Sequence, residues 1–223
     1  MTKSYEFPNW LSDDSEVVFS DSAKTALING KLKFSLKKHG AKLTICRLDC
    51  YVDAVSGNIN IHVGNDNASI KIGKVKGFFD FRLWRDSIVS IGDGTTCNGA
   101  RVVCDNSSVT IGDDCLFSDE IILQSADQHA IVDLKTGVIA NTDKTAISIG
   151  NHVWIGRRSN ILYGANIGGG SIVGFGTLAN KKFPANSLIV GVPGKVKKSD
   201  ISWSRSQTNI DEYAKKLIEE FNS

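Results

Sequence analysis

The chain lacks the features that mark several common classes of protein. Its five cysteines are an odd number without a C-x-x-C pair, so the sequence predicts neither a disulfide framework nor a cysteine zinc site. The net charge of only +2 argues against general nucleic-acid binding. No stretch approaches the ~20 apolar residues of a membrane span, and the first residues contain no apolar signal core. We therefore expect a cytoplasmic protein.

Metal ligands and reactive thiols are equally scarce. The four histidines are His39, His62, His129 and His152. No two of them form a close pair with the spacing of a metal site, so no metal is expected. Cys97 and Cys115 fall at inward positions of the repeat described below, which favours small reduced core residues over a cysteine nucleophile.

A six-residue repeat runs without a break from Ile149 to Thr177. It reads IGNHVW, IGRRSN, ILYGAN, IGGGSI and VGFGTL, with an aliphatic first position and a small fifth position. Helices repeat every 3.6 residues and strands every 2, so a period of six fits a backbone that turns a corner after each short strand. Three such strands would close one triangular coil, and the coils would stack as a solenoid.

The start of the repeat also appears earlier in the chain, at longer intervals. Its starting isoleucines are Ile72, Ile91, Ile111, Ile149 and Ile167. The interval of 38 residues after Ile111 reads as one coil of eighteen plus an excursion of twenty. A β-sandwich would instead need turns every 8 to 12 residues with strict alternation between them. The sequence therefore predicts an all-β solenoid of hexapeptide repeats.

Three regions follow from this pattern. Residues 1–57 are predicted as a strand-rich N-terminal region, residues 58–193 as the β-helix with a projecting loop at 129–147, and residues 194–223 as a tail with a helix. The helix rests on apolar residues spaced by three and four: Ile210, Tyr213, Ala214, Leu217, Ile218 and Phe221. We expect this helix to cap the coil or to pack on a neighbouring subunit.

A basic stretch lies in the N-terminal region. It contains Lys31, Lys33, Lys37, Lys38 and Lys42. We interpret it as a solvated hairpin around KHGAK, with binding of an acidic partner as the less favoured alternative. Further along, Trp84 with Arg82 and Arg85 has two open interpretations, contact with an acidic sugar or a structural role at the surface.

The repeat fails at His129. Continuing from Ile111 in steps of six reaches Phe117, Leu123 and then His129, with Asp127 just before it. Burying an unpaired imidazole and carboxylate would be costly, so the chain must leave the coil here. A histidine at the root of a loop on a rigid scaffold is well placed for catalysis, although a lone histidine is more often structural.

The order of IGDDCLFS, SADQH, a loop, and then ISIGNHVWIG through VPGKV resembles the hexapeptide-repeat acyltransferases over about residues 88–198. The nearest group is the acetyl-CoA-dependent O-acetyltransferases of capsular polysaccharide and lipopolysaccharide, including those of sialic acid. The resemblance implies a left-handed coil and a homotrimer with active sites between subunits. It also implies acetyl-CoA as co-substrate and a saccharide acceptor, for which a polymeric, acidic sugar is one candidate.

The resemblance also assigns roles to individual residues. His129 matches the family's catalytic histidine, and Trp154 in HVWIG matches a tryptophan that the sialic acid enzymes need. The coenzyme would run along the later coils, contacting the backbone around Gly156, Gly174, Thr177 and Ala179. Lys182 and Lys195 match basic residues that meet the coenzyme phosphates, and an ordinary exposed charge is the alternative for each. His152, at the fourth position of its hexapeptide, is expected to point outward along its strand as an exposed or interface residue.

Chemistry then suggests a mechanism. A sugar hydroxyl is a poor nucleophile at neutral pH, and histidine titrates near that pH, so His129 is the predicted general base. We expect direct transfer in a ternary complex, because the sequence has no G-x-S-x-G elbow and Ser171 is an inward corner residue. Asp127 or Asp133 would orient the imidazole.

Two alternatives remain open. A streptogramin-type antibiotic acetyltransferase shares the histidine, the loop and the VWIG stretch, and a non-catalytic hexapeptide scaffold shares the coil. A simple small-sugar acetyltransferase is less favoured, because Ala100 and Arg101 lie where the galactoside and maltose branch has an asparagine.

Overall fold

The computed structural model describes residues 8–39, 46–64, 67–142 and 145–222, with side chains up to residue 219. The strands are β1 Glu16–Phe19, β2 Leu32–Lys38, β3 Arg47–Val52, β4 Ser56–Val63, β5 Asn67–Ile72, β6 Lys76–Trp84, β7 Ser87–Ile91, β8 Thr96–Asp105, β9 Ser108–Ile111, β10 Leu116–Phe117, β11 Ile121–Gln124, β12 Ile147–Ile149, β13 Trp154–Ile155, β14 Asn160–Leu162, β15 Asn166–Ile167, β16 Ile172–Val173, β17 Leu178–Ala179, β18 Lys182–Phe183, β19 Leu188–Val190 and β20 Lys195–Lys198. The helices are α1 Asp21–Ile28 and α2 Glu212–Asn222. The predicted β-solenoid with a C-terminal helix is confirmed.

Two long sheets wrap the solenoid. One is an eight-stranded parallel sheet in the order β1-β3-β5-β7-β9-β12-β15-β18. The other forks at β8, where Thr96 and Cys97 pair with β10 while residues 100–103 pair with β11. Beyond the fork each coil has three short strands, which is the triangular cross-section that the six-residue period predicts. Before the fork, β2, β4 and β6 each run as one long strand.

The isoleucine ladder lies in the eight-stranded sheet. Ile72, Ile91, Ile111, Ile149 and Ile167 pair in succession on neighbouring coils. The predicted intervals are therefore confirmed, including the long one, because the chain between β11 and β12 leaves the coil and returns in register. Strand β1 pairs in parallel with β3 in this sheet, and β2 pairs in parallel with β4 in the other sheet, so both sheets already include strands from the predicted N-terminal region.

The core follows the repeat. The first and fifth positions are all buried: Ile149, Val153, Ile155, Ser159, Ile161, Ala165, Ile167, Ser171, Val173 and Thr177. Upstream, the six-residue spacing from Cys97 predicts Val103 as an inward residue, and Val103 is buried. In the strand register, however, Leu123 pairs with Val102, and Val103 pairs with Gln124.

The basic stretch does not form the expected hairpin. Strand β2 pairs in parallel with β4, because a strand of a solenoid finds its partner on the next coil. Residues 40–45, with Lys42, lie outside the described residues.

Helix α1 was not predicted from the sequence. It begins where the Ser20 hydroxyl accepts a hydrogen bond from the Ala23 amide.

The C-terminal segment folds back on the coil. Strand β20 pairs antiparallel with β19, and α2 begins where the Asp211 carboxylate accepts a hydrogen bond from the Ala214 amide. The ring of Tyr213 in α2 stacks on His152 of the coil, 4.3 Å between centroids. Neither helix in the described part of the chain is long and apolar enough to cross a membrane.

Candidate active site

The loop between β11 and β12 is a folded hairpin. Val132 and Ile139 form an antiparallel bridge across it. At its tip the Asp133 carboxylate accepts hydrogen bonds from the Lys135 and Thr136 amides, at 2.8 and 3.0 Å. The backbone hydrogen bonds from Thr136 and then Lys135 lower the pKa of Asp133. Asp133 therefore caps the tip turn, and this role explains its position in the loop.

His129 lies at the root of this hairpin with an exposed side chain. Its backbone carbonyl accepts a hydrogen bond from the Asn141 amide group at 2.9 Å. The same Asn141 nitrogen donates to Asp127 at 3.1 Å, and the Asn141 oxygen accepts from the Ile131 amide at 2.8 Å. Asn141 thus ties the two arms of the loop together and fixes the backbone that carries His129. Sequence reasoning missed this residue, because one asparagine in a polar loop gives no signal.

A cavity of about 330 Å³ opens beside His129. Asp127 and Asn141 line it, together with Arg85 and Asp105 from the ends of β6 and β8. Arg85 donates two hydrogen bonds of 2.7 Å to the buried Asp105 carboxylate, a bidentate pair that fixes the cavity wall. Of the two aspartates proposed to orient the imidazole, Asp127 lines this cavity and Asp133 does not.

Trp154 lies elsewhere in the same chain. It is the outward residue of β13, 38% exposed, and its ring lies 6.3 Å from that of Trp203 in the C-terminal segment. It is not among the residues that line the His129 cavity. A single chain therefore does not bring the predicted base and the predicted tryptophan together.

His152 is buried in the chain, so the expectation of an exposed side chain is wrong. Its ring stacks between Trp203 and Tyr213, with centroids 4.2 and 4.3 Å away. Nδ1 lies 2.8 Å from Asp114 and Nε2 lies 2.9 Å from the Trp203 carbonyl. The cause is a left-handed corner (φ +55°) and a C-terminal segment that covers it. His152 therefore holds that segment on the coil.

The residues predicted to contact the coenzyme backbone line successive corners of the later coils. A Cβ on Gly156 would lie 2.8 Å from the Phe175 amide, so this glycine permits close stacking of the coils. Gly174 occupies the equivalent corner one coil later. Thr177 and Ala179 are completely buried in the single chain, so their predicted contact with a coenzyme is not visible in this structure.

The two predicted phosphate-binding lysines lie on different sheets. Lys182 is in β18 of the eight-stranded sheet, whereas Lys195 is in β20, at the antiparallel edge of the other sheet. Both side chains are exposed.

Other candidate nucleophiles are deep in the coil. Burial raises the pKa of Cys50, Cys97 and Cys115 to about 12, which keeps these thiols protonated and unreactive. Ser171 is buried and donates a hydrogen bond to the Pro184 carbonyl at 3.2 Å. In the described ranges, no group of three or more His, Cys, Asp or Glu residues could hold a metal ion.

The chain is similar to known O-acetyltransferases. The polysialic acid O-acetyltransferase of Escherichia coli O1:K1 / APEC is 37% identical over 137 residues, which are 61% of this chain and 44% of that protein. The crystal structure of the polySia-specific acetyltransferase NeuO matches with a TM-score of 0.71 and 26% identity, covering 86% of this chain and 94% of that one. The chain resembles the hexapeptide-repeat acetyltransferases. The resemblance seen in the HVWIG stretch and the repeats is thereby confirmed.

The likeness to these acetyltransferases extends to a second sugar-modifying relative. Galactoside O-acetyltransferase of Escherichia coli strain K12 is 32% identical over 110 residues, 49% of this chain and 53% of that protein. The chain spans about half the length of the two curated relatives. No family model matches the chain.

Proposed function

We propose that this protein transfers an acetyl group from acetyl-CoA to a hydroxyl of a capsular or lipopolysaccharide sugar, with His129 as the general base. The observation that carries the proposal is the position of His129, exposed beside a polar cavity at the root of a braced loop on a rigid solenoid. The relatives whose names record O-acetylation of sugars support the reaction class.

The histidine has the chemistry that the reaction needs. Among the described residues, the ring nitrogens of His129 have no hydrogen-bond partner, so either one is accessible to a substrate hydroxyl. The imidazole would take the hydroxyl proton while the oxygen attacks the thioester carbonyl. Collapse of the tetrahedral intermediate would then break the C–S bond, and the imidazolium would return the proton to the coenzyme A sulfur. Asp127, which lines the same cavity, would orient the ring.

The coenzyme would run along the corners of the later coils. Support comes from Gly156 and Gly174, which keep successive corners free of side chains. Thr177 and Ala179 lie completely buried beneath the same corners, so they would shape the site without exposing groups of their own. Because Lys182 and Lys195 lie on different sheets, one coenzyme that follows one corner would meet the ammonium group of only one of them.

Assembly as a homotrimer would complete this site. The loop exposes five large apolar side chains that a neighbouring subunit would cover: Ile131, Val132, Leu134, Val138 and Ile139. Trp154, on another face of the same chain, would reach His129 only from a second copy. These two features support active sites between subunits.

The test is release of the coenzyme A thiol from acetyl-CoA, with polysialic acid, neutral glycans and streptogramins as acceptors. Wild-type protein should release thiol only with a sugar acceptor, and His129→Ala should lower the rate by ~10² to 10⁴-fold. Lys135→Ala, at the exposed tip of the same loop, is the control and should retain the rate. Release with streptogramins alone would support the antibiotic acetyltransferase, and no release together with no binding of acetyl-CoA would support the scaffold.

A further inference from the structure

The long strands before the fork carry a strip of basic side chains on their outer face. Lys37 of β2 pairs in register with His62 of β4, which pairs with Arg82 of β6. One row along, Asp80 of β6 pairs with Arg101 of β8. Because neighbouring parallel strands lie ~4.8 Å apart, these side chains form one continuous surface. We call this surface the basic strip.

One carboxylate, that of Asp80, contacts three of the basic side chains in the strip. Asp80 accepts a hydrogen bond from Arg101 at 2.9 Å and another from Arg82 at 3.3 Å, and its second oxygen lies 3.4 Å from His62. The sequences of β2, β4 and β6 contain no other acidic residue, whereas β2 also contributes the exposed Lys33. Positive charge therefore exceeds negative charge on this face.

The pKa of His62 is affected by burial and by charges of both signs. Burial lowers the pKa of His62, and Arg82, Lys37 and His39 lower it further. Asp80 acts in the opposite direction and does not reverse the shift. Arg82 and Lys37 therefore act on His62 as positive charges beside the single carboxylate of Asp80.

A groove of about 600 Å³ runs beside the basic strip. The ring of Phe78 is 55% exposed in it, and the amide side chains of Asn58, Asn60 and Asn160 line it with Arg101. An aromatic face packs on the apolar face of a sugar ring, amides hydrogen-bond to hydroxyls, and guanidinium groups bind carboxylates. The far end of the groove is neutral, because Arg158 pairs with Glu120 at 2.8 Å.

The groove and the His129 cavity lie on the same strands. Strand β8 contributes Arg101 to the groove and Asp105 to the cavity, four residues further along, or ~13 Å at the rise of an extended strand. An extended polymer can therefore occupy both at once, with a hydroxyl near His129 and its other units on the basic strip.

We propose that the basic strip and its groove bind an acidic polysaccharide chain, whose carboxylates lie on Arg82 and Arg101. The location near His129 rests on the proposed function, whereas the binding itself does not. An acidic glycan is favoured over a nucleic acid because the groove offers amides and one exposed ring beside few cations, and the whole chain has a net charge of only +2.

The experiment measures the affinity of the full chain for long polysialic acid by calorimetry, with neutral dextran as the uncharged probe. Arg82→Gln with Arg101→Gln should weaken binding by about tenfold or more, since both charge-assisted contacts with the polymer are removed. The control is Arg47→Gln, an exposed arginine on the other sheet that also pairs with aspartates, and it should bind as the wild type does. Circular dichroism would verify folding, and Arg101→Gln alone provides a milder variant.

Three results would overturn the proposal: unchanged affinity in the double variant, equal binding of dextran, or tighter binding of a single-stranded oligonucleotide. Binding of polysialic acid that depends on both arginines, without any thiol release, would support the basic strip and overturn the proposed reaction. Thiol release with sialic acid monomers that survives in the double variant, together with lost polymer binding, would support both.

Discussion

The coils before the fork and the coils after it fill the same kind of core with different side chains. Before the fork, strands of up to nine residues enclose aromatic rings, and Phe79 stacks on Phe81 at 5.7 Å. After it, strands of two to four residues enclose mostly isoleucine and valine, together with Phe117 and Phe183. The corners there hold small residues: Ser159, Ala165 and Ser171. Coil circumference and side-chain volume change together, because a core must be filled to the density of a solid.

The coil also narrows along the chain. Ile91 pairs with Ile111 twenty residues later, Ile149 with Ile167 after eighteen, and Ile167 with Phe183 after sixteen. The proposed functions are also divided between the wide and the narrow coils. The long strands of the wide coils carry the basic strip, and the corners without side chains in the narrow coils would hold the coenzyme. The loop with His129 leaves the coil between these two parts.

The largest expected effect comes from the aromatic core of the wide coils. Phe79→Ala removes a ring that contacts both Phe81 and Phe117, and should lower the free energy of unfolding by ~3 to 5 kcal/mol. In the narrow coils, Ile161→Val removes one methyl group and should cost ~0.5 to 1.5 kcal/mol. Urea unfolding measures both. A loss below ~1 kcal/mol for Phe79→Ala would mean that the wide coil collapses onto the smaller side chain.

Substitutions at two glycines would distinguish the cost of steric crowding from the cost of a left-handed backbone conformation. Gly77 in the wide coils has φ +126°, and a Cβ there would lie 1.8 Å from the Cys97 carbonyl oxygen. Gly176 in the narrow coils has φ +66° with no atom within 4 Å of such a Cβ. Gly176→Ala should therefore cost only the ~1 to 2 kcal/mol of the left-handed conformation. Gly77→Ala should cost ~1 to 3 kcal/mol more, because the next coil must move away. Equal melting temperatures for the two variants would contradict this difference.

The smallest effect tests how the narrow coils hold the C-terminal segment. His152→Phe keeps a ring between Trp203 and Tyr213 but removes the bonds to Asp114 and the Trp203 carbonyl, which should cost ~1 to 3 kcal/mol. Hydrogen exchange should rise in residues 200–219. His39→Phe, an exposed histidine packed against Trp84, should change stability by less than ~0.5 kcal/mol. Unchanged exchange in His152→Phe would mean that stacking alone holds the segment.

The sequence pattern predicted side-chain positions correctly wherever these positions followed the six-residue period of the repeat. The inward isoleucines, the small corner residues and the departure of the chain before His129 were all predictable, since each depends on whether a side chain points into or out of a coil. The hairpin around KHGAK and the exposure of His152 were predicted wrongly. Strand β2 finds its partner on the next coil, and His152 is covered by Trp203, 51 residues later.

The sequence by itself determined the solenoid, its core and the point where the loop with His129 leaves it, because a period of six dictates which side chains face inward. The tertiary structure decided which side chains meet between coils. Asp80 meets Arg101 across one coil, and Arg85 meets Asp105 at the wall of the His129 cavity. Such contacts depend on the number of residues in each coil, and that number falls from twenty to sixteen along the chain, so the six-residue pattern does not specify them.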